Sequence, residues 1–334
     1  MNVAAHIEAL LRDRGIHPVL VDVGASGGAP DVWKPLARFS TYIGFDPDSR
    51  EIKRDTESAF RAGIIINKAL CADADAESVT FYLTESPYCS SMLPPDNDAL
   101  SKYSFAQLFE TKRQITVSAT TLSKVVREQH LPHIDWLKID AQGADLRIYL
   151  SLDEAMRRKL LAVDTEPGLI DAYRGEDLFI DVHKRMRTEG FWLSRLNIMG
   201  VPRISAATLK ELGVPIENGL PQRTSGLRVS PGWCEARYLR AVESLEEAGV
   251  GEREFVLSWV FAVIDGQYGH ALELAKAIRN ALRDHALSDA LGALSAQLMR
   301  TAAPNQQSAP MSFAKRALRK IRTLTRLFLD RGQP

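Results

Sequence analysis

The stretch PVLVDVGASGG, residues 18–28, has the composition of a buried strand that runs into a turn of glycine and other small residues. The next segment, DVWKPLARF (31–39), carries apolar residues at helical spacing, namely Val32, Leu36 and Phe39. A strand, a tight turn and a helix in this order form the first unit of a parallel sheet that is covered by helices.

Strand and helix patterns alternate along the chain that follows. Further strands are predicted at 41–46, 63–70, 78–84, 134–140 and 160–166. From Gly232 onwards the apolar residues follow helical spacing only. We therefore predict an α/β fold whose parts are a sheet domain (1–232), a helical extension (233–300), a linker (301–312) and a basic amphipathic helix (313–334).

Composition excludes several classes of protein. Lys plus Arg and Asp plus Glu both number 42, so no global field favours nucleic acid as a partner. The three cysteines form no CxxC pair, and reduced thiols in a cytoplasmic protein are the simplest interpretation. No apolar stretch is long enough to span a bilayer, and the seven histidines show no metal-ligand spacing, so we predict no metal site.

The glycine turn is typical of a site where a ligand lies against the main chain, because larger side chains would push the ligand away. The residues that would line such a ligand are Gly24, Ala25, Ser26 and Gly28. Asp22 could accept a hydrogen bond from an ammonium group, and amides of the turn could contact the same ligand. Asp46, which ends the second strand, could accept both hydroxyls of a ribose.

These features indicate an adenosine-containing ligand and leave its identity open between NAD and S-adenosylmethionine. A dinucleotide site needs the pattern G-x-G-x-x-G to seat a pyrophosphate, and here Ser26 stands at its middle position. Asp22 would also repel a pyrophosphate. A purely structural turn followed by an ordinary surface acid is the alternative interpretation.

The segment LKIDAQGADLRIYL (137–150) resembles the FkbM family of S-adenosylmethionine-dependent methyltransferases, which carry K-I-D-x-Q-G-x-E before a helix. The first glycine motif and the later acids match the family in the same order over about residues 18–200. The matching positions are Asp22, Val23, Gly24, Ala25, Ser26, Gly28, Asp46, Ser90, Ser91, Lys138, Ile139, Asp140, Gln142, Gly143, Asp145 and Glu166. Ser26, Ser123 and Asp145 depart from the family's usual Asn, Asp and Glu.

The resemblance implies a Rossmann-like class I methyltransferase sheet and S-adenosylmethionine as cofactor. It also implies an O-methyltransferase that acts on a sugar hydroxyl of a polysaccharide or glycolipid. A small-metabolite acceptor, a catalytically degenerate fold that serves as a binding module, and a nucleotide-sugar or NAD enzyme are the alternatives. Ser91 is expected near the cofactor, in a loop that either covers it or faces solvent.

Two acids are candidates for the chemistry. Asp140 follows a central strand, where ligands of open α/β sheets bind, and we expect it to lie beside the cofactor and to orient the acceptor. Glu166 follows the neighbouring strand and is the candidate base for the acceptor hydroxyl. Asp140 as a helix N-cap is the structural alternative. Lys138 is expected to pair with a nearby acid rather than to react.

The C-terminal segment 313–331 carries an apolar stripe flanked by arginines and lysines. Such a helix can lie on the anionic inner face of a membrane, which would suit a lipid-linked glycan acceptor. The alternative, which we favour, is that the stripe packs on this protein or on a second copy in a homo-oligomer.

Overall fold

A computed structural model describes residues 3–26, 28–47, 57–222 and 226–302. The predicted amphipathic helix at 313–334 lies outside these residues, as does nearly all of the predicted linker. The polar sequence SREIKRDTESAFRAG (49–63) also predicts a helix, and its first eight residues lie outside the described ranges. No helix among the described ranges is both long and apolar enough to cross a membrane.

The strands alternate with helices over the first two thirds of the chain, as the sequence predicts. In chain order they are β1 (Val19–Val23), β2 (Thr41–Phe45), β3 (Ala62–Ile66), β4 (Ala69–Leu70), β5 (Ser78–Thr84), β6 (Thr111–Thr120), β7 (Trp136–Ile139), β8 (Ala162–Thr165), β9 (Phe191–Pro202), β10 (Ile216–Glu217), β11 (Leu220–Pro221) and β12 (Val229–Arg240).

The α-helices include four in succession that follow the last strand. They are α1 (Val3–Asp13), α2 (Asn97–Leu100), α3 (Leu122–Glu128), α4 (Asp145–Leu150), α5 (Glu154–Arg157), α6 (Phe179–Thr188), α7 (Ala206–Glu211), α8 (Val242–Glu247), α9 (Glu252–Ile264), α10 (Tyr268–Ala281) and α11 (His285–Thr301). Short 3-10 helices span Asp31–Phe39, Glu57–Ala59, Pro87–Cys89 and Ser104–Phe109. The first contains Pro35, which lacks the amide that an α-helix would need there.

Seven strands form the central sheet in the order β3-β2-β1-β7-β8-β12-β9. The pairs from β3 to β8 are all parallel, whereas β12 is antiparallel to both of its neighbours. The predicted parallel α/β sheet is therefore confirmed, and its order with one inserted antiparallel strand is that of a Rossmann-like methyltransferase sheet with C-terminal helices.

The strand β12 corrects the prediction that the chain is helical from residue 233. The predicted domain boundary at 232 falls inside this strand, which runs between β8 and β9 in the sheet. Cys234, Ala236 and Tyr238 alternate as buried side chains, a period of two that the nearby helical spacing masks. Helices begin at Val242 instead.

Helices cover both faces of the sheet. One face packs against α1 and α9–α11, around Trp33, Trp136, Trp259 and Phe261. The other packs against α3, α4 and α6, and its core includes Ile139. Because both faces are buried, the sheet exposes mainly its edges, and the carboxyl ends of the parallel strands form one of these.

A third, smaller apolar cluster lies beyond these two cores. It joins the region between β5 and β6 to the loop after β8 and to the β10–β11 hairpin. Its buried members are Leu100, Tyr103, Phe105, Ala172, Tyr173 and Val201. The hydroxyl of Ser104 donates to the carbonyl oxygen of Gly219 at 2.7 Å, which fastens the hairpin to this cluster.

Candidate active site

The glycine turn after β1 lies directly against the turn after β7. Gly24 has φ +76°, and a Cβ built there would lie 2.3 Å from the carbonyl oxygen of Asp140. Only glycine therefore fits at residue 24, on account of both the left-handed backbone and the close approach. The two motifs that the sequence singled out meet at this contact.

Three amides of this turn are bonded within the protein. Those of Gly24 and Ala25 both donate to the carbonyl oxygen of Phe45 at 3.0 Å, and that of Gly28 donates to the carbonyl oxygen of Ala25 at 3.3 Å. These three amides therefore do not point at a ligand in this geometry, and the contact between the turn and a ligand stays a prediction. Ser26 is partly exposed on the turn.

Asp22 does not face a ligand either. Its side chain is fully buried, and its two oxygens accept hydrogen bonds from Lys138 Nζ at 2.8 Å and from the Tyr42 hydroxyl at 3.1 Å. The predicted contact between Asp22 and a ligand ammonium does not fit this arrangement, because the ammonium of Lys138 occupies that place. Lys138 pairs with a nearby acid, as expected, and also donates to the carbonyl oxygen of Gly24 at 3.0 Å.

Each member of this ion pair affects the pKa of the other. Burial raises the pKa of Asp22, and the charge of Lys138 opposes that rise. For Lys138, burial favours the neutral amine, but Asp22 and Asp140 outweigh it and raise its pKa. Lys138 therefore stays charged, and its ammonium group binds the main chain of the glycine turn at the carbonyl oxygen of Gly24.

The pair belongs to a row of alternating charges that crosses four neighbouring strands. The row comprises Asp22, Lys138, Asp164 and Arg237, which are register partners along β1, β7, β8 and β12. Arg237 contacts both oxygens of Asp164, at 2.8 and 2.9 Å, and reaches Asp265 beyond α9 at 2.7 Å. Neither Asp164 nor Arg237 was predicted from the sequence. Asp164 is the one charged residue in β8, whereas β12 also contains Glu235 and Arg240.

Asp46 and Asp140 lie at the ends of strands on either side of β1. Asp46 is 6% exposed, and its main chain is held by Ile66 and by the side chain of Asn67. Asp140 is partly exposed, and its amide donates to the carbonyl oxygen of Val23 at 3.1 Å. The structure thus brings Asp46, the glycine turn and Asp140 to one edge of the sheet.

A hydrogen-bonded chain leads away from Asp140. Its Oδ1 accepts from Gln142 Nε2 at 2.6 Å, and Gln142 Oε1 lies 3.1 Å from the hydroxyl of Tyr173. The hydroxyl of Ser91, which is buried, donates to the main-chain oxygen of Gln142 at 2.7 Å. Ser91 therefore holds the turn after β7, and its expected position near the cofactor stays a prediction.

Asp145 ties two strand ends together. Its buried carboxylate accepts from the amide of Ala141 at 3.0 Å and from the amide of Glu166 at 2.7 Å. Burial raises the pKa of Asp145 to about 7. The N-cap of α4 is Ala144, so Asp140 is not a helix cap. Asp140 and Glu166, both partly exposed, consequently emerge from turns that share one anchor.

Sequence reasoning also missed the loop after β8. Tyr173 is nearly buried there, and its main-chain amide is held by the carboxylate of Glu176 at 3.0 Å. Burial raises the pKa of Glu176 to about 7. Neither residue lies in a motif, so only the fold brings them to the site. No group of three or more His, Cys, Asp and Glu side chains in the described part of the chain could hold a metal ion.

Sheet order and site together define the class of a methyltransferase-like α/β protein. The family model for the methyltransferase FkbM domain matches residues 22–194, more than half of the 334 residues. The chain therefore belongs to the FkbM methyltransferase family, and the resemblance inferred from the motifs is confirmed. Among curated proteins, none matches the chain.

Proposed function

We propose that this protein is an S-adenosylmethionine-dependent O-methyltransferase whose acceptor is a sugar hydroxyl. The observation that carries the proposal is the convergence of three features on neighbouring strands. These features are Asp46 after β2, the turn at Gly24 after β1, and Asp140 after β7. Ligands of open α/β sheets bind at this edge.

The chemistry of these groups fits an adenosyl sulfonium better than a dinucleotide. Carboxylates accept hydrogen bonds from ribose hydroxyls and from an ammonium group, and S-adenosylmethionine carries both. A pyrophosphate instead requires amides that point at it. Here the amides of Gly24, Ala25 and Gly28 bond to carbonyl oxygens of the protein, which argues against NAD.

Each acid has a separate role in this proposal. Asp46 holds the ribose hydroxyls, and Asp140 faces the amino-acid end of the cofactor and orients the acceptor. Glu166 accepts the proton of the acceptor hydroxyl, since it leaves the neighbouring strand and shares the Asp145 anchor. When bound, the cofactor supplies an electrophilic methyl group. The protein's remaining task is to align the acceptor oxygen and to exclude water.

Family membership supports the choice of a polysaccharide or glycolipid as acceptor, which is an argument by analogy. A small metabolite is the competing acceptor, and a degenerate fold that only binds partners is the competing role. We further propose a cytoplasmic location. Segment 313–331 would contact either the inner face of the membrane or protein, including a second copy of the chain.

Calorimetry of the full chain with S-adenosylmethionine, S-adenosylhomocysteine and NAD tests the cofactor. We expect both adenosyl ligands to bind and NAD not to bind. Asp46→Ala should weaken the binding of S-adenosylhomocysteine by about 1–3 kcal/mol, because the ribose hydroxyls lose their hydrogen-bond acceptor. Asp13→Ala, an exposed acid in the last turn of α1, is the matched control. Binding of NAD alone, or full affinity in Asp46→Ala, would contradict the assignment.

A labelling experiment tests the acceptor. Methyl-labelled S-adenosylmethionine is incubated with isolated cell-surface glycans and, separately, with small-metabolite extracts. Label in the glycan fraction supports the proposal, and label only in the metabolite fraction supports its competitor. Cofactor binding without any labelled product would favour the non-catalytic role.

A further inference from the structure

Tyr173 connects two segments that both border the candidate site. Its side chain is 3% exposed, and its hydroxyl lies 2.9 Å from the carbonyl oxygen of Cys89 and 3.1 Å from Gln142 Oε1. Burial raises the pKa of Tyr173 well above its ordinary value, so the phenol keeps its proton, and this single proton is shared between the two acceptor oxygens. The hydroxyl therefore links the loop that contains Ser90 and Ser91 to the turn after β7.

Gln142 is held in an unusual conformation by this arrangement. Its φ is +51°, a left-handed value that costs a non-glycine residue on the order of 1–2 kcal/mol. The hydroxyl of Ser91 fixes its main-chain oxygen, while its side-chain amide lies between Tyr173 and Asp140. Strained residues of this kind persist where surrounding contacts fix them, often at functional sites.

The two ends of the Gln142 amide have different partners, which determines its orientation. A carboxylate can only accept, so Nε2 must face Asp140, and Oε1 then faces the hydroxyl donor of Tyr173. Without that donor the amide could rotate, and the carboxylate of Asp140 would lose its fixed direction.

We propose that Tyr173 and Gln142 are positioning residues that aim the Asp140 carboxylate at the ammonium group of the cofactor's amino-acid end. The inference rests on the proposed function and makes one part of it specific. Asp22, the other acid near the glycine turn, is fully buried and bonded to Lys138 and Tyr42. Asp140 is the partly exposed acid beside Gly24.

The ring of Tyr173 is fixed independently of its hydroxyl. It packs on Phe109 with ring centroids 5.5 Å apart, and a Cβ at Gly143 would lie 3.0 Å from its Cδ2. Tyr173→Phe therefore removes the hydrogen bonds and keeps the packing. Tyr103→Phe is the matched control, since Tyr103 belongs to the same aromatic cluster and takes no part in this chain of bonds.

The test compares two ligands that share the adenosine part. S-adenosylhomocysteine carries the amino-acid end, and 5′-methylthioadenosine lacks it. Calorimetry on the full chain measures both affinities. Tyr173→Phe should lower the affinity for S-adenosylhomocysteine about tenfold, which is the loss expected for a misdirected bond to a charged group. The affinity for 5′-methylthioadenosine should stay within about twofold of the wild-type value. Gln142→Asn should act in the same direction, because asparagine tolerates left-handed backbone but is too short to reach both partners.

The outcomes separate this inference from the proposed function. If wild-type protein binds neither ligand, both are overturned. If it binds both ligands and Tyr173→Phe leaves the two affinities unchanged, or weakens them equally, the positioning role alone is overturned. An equal loss in Tyr103→Phe would likewise overturn it, because the effect would then come from ring packing.

Discussion

Asp22 and Asp140 stand near the ends of adjacent parallel strands, yet they have opposite surroundings. Asp22 lies within β1, is fully buried and is bonded to Lys138. Asp140 follows β7, is partly exposed and is bonded to the amide of Gln142. The position of an acid relative to the last residue of its strand thus decides whether it belongs to the sheet or to the ligand-binding edge.

The largest expected difference between the two acids is in stability. Lys138→Met leaves Asp22 buried without its cation, which should cost about 3–5 kcal/mol of unfolding free energy. Asp140→Asn should change stability by less than about 1 kcal/mol, because the side chain is partly exposed. Urea unfolding of both variants measures this. Similar losses in the two would mean that the acids are not distinct in role.

A smaller effect is expected where the two turns touch. Gly24→Ala should cost about 3 kcal/mol, from a left-handed alanine and a clash with the carbonyl oxygen of Asp140. Gly15→Ala is the control, since its φ is +60° and nothing lies within 4 Å of its Cβ position. That variant should lose only about 1 kcal/mol in the same urea titration. Equal losses would show that the close approach is not important.

The smallest expected effect concerns the anchor that Asp140 and Glu166 share. Asp145 has an ordinary pKa of 3.8 and one of about 7 in the folded chain, because of burial. A raised folded pKa gives stability that is present at low pH and lost as the pH rises through 7. Between pH 5 and 8 wild type should lose about 2 kcal/mol relative to Asp145→Asn. Parallel unfolding profiles at several pH values would contradict this.

Most of the fold could be predicted from local sequence patterns. Strands β1, β2, β7 and β8 are apolar runs that end at an acid or a glycine, and these signals lie within a few residues. The sequence of β12 predicts a helix from residue 233 because its apolar residues fit both periods. Its place between β8 and β9 depends on pairing with strands far away in the chain.

The candidate site was predictable only in part. The motifs identify Asp46 and Asp140 because strand ends of parallel sheets share one edge. They assigned Asp22 a ligand contact because its partner Lys138 is 116 residues away in sequence. A pattern did exist, since VDV, LKI and VDT each place one charge between two uncharged residues of a strand. Tyr173 lies outside any motif, and no spacing rule would find it.

The insertion of β12 between β8 and β9 also has a consequence for biosynthesis. The ribosome completes β8 and β9 before residue 229 exists, and β12 is the sheet neighbour of β9 among the described strands. In a nascent chain of that length β8 and β9 both lack the neighbour that β12 provides in the finished sheet, and such unpaired edges invite aggregation. Final assembly of the sheet must therefore wait until Arg240 has left the exit tunnel.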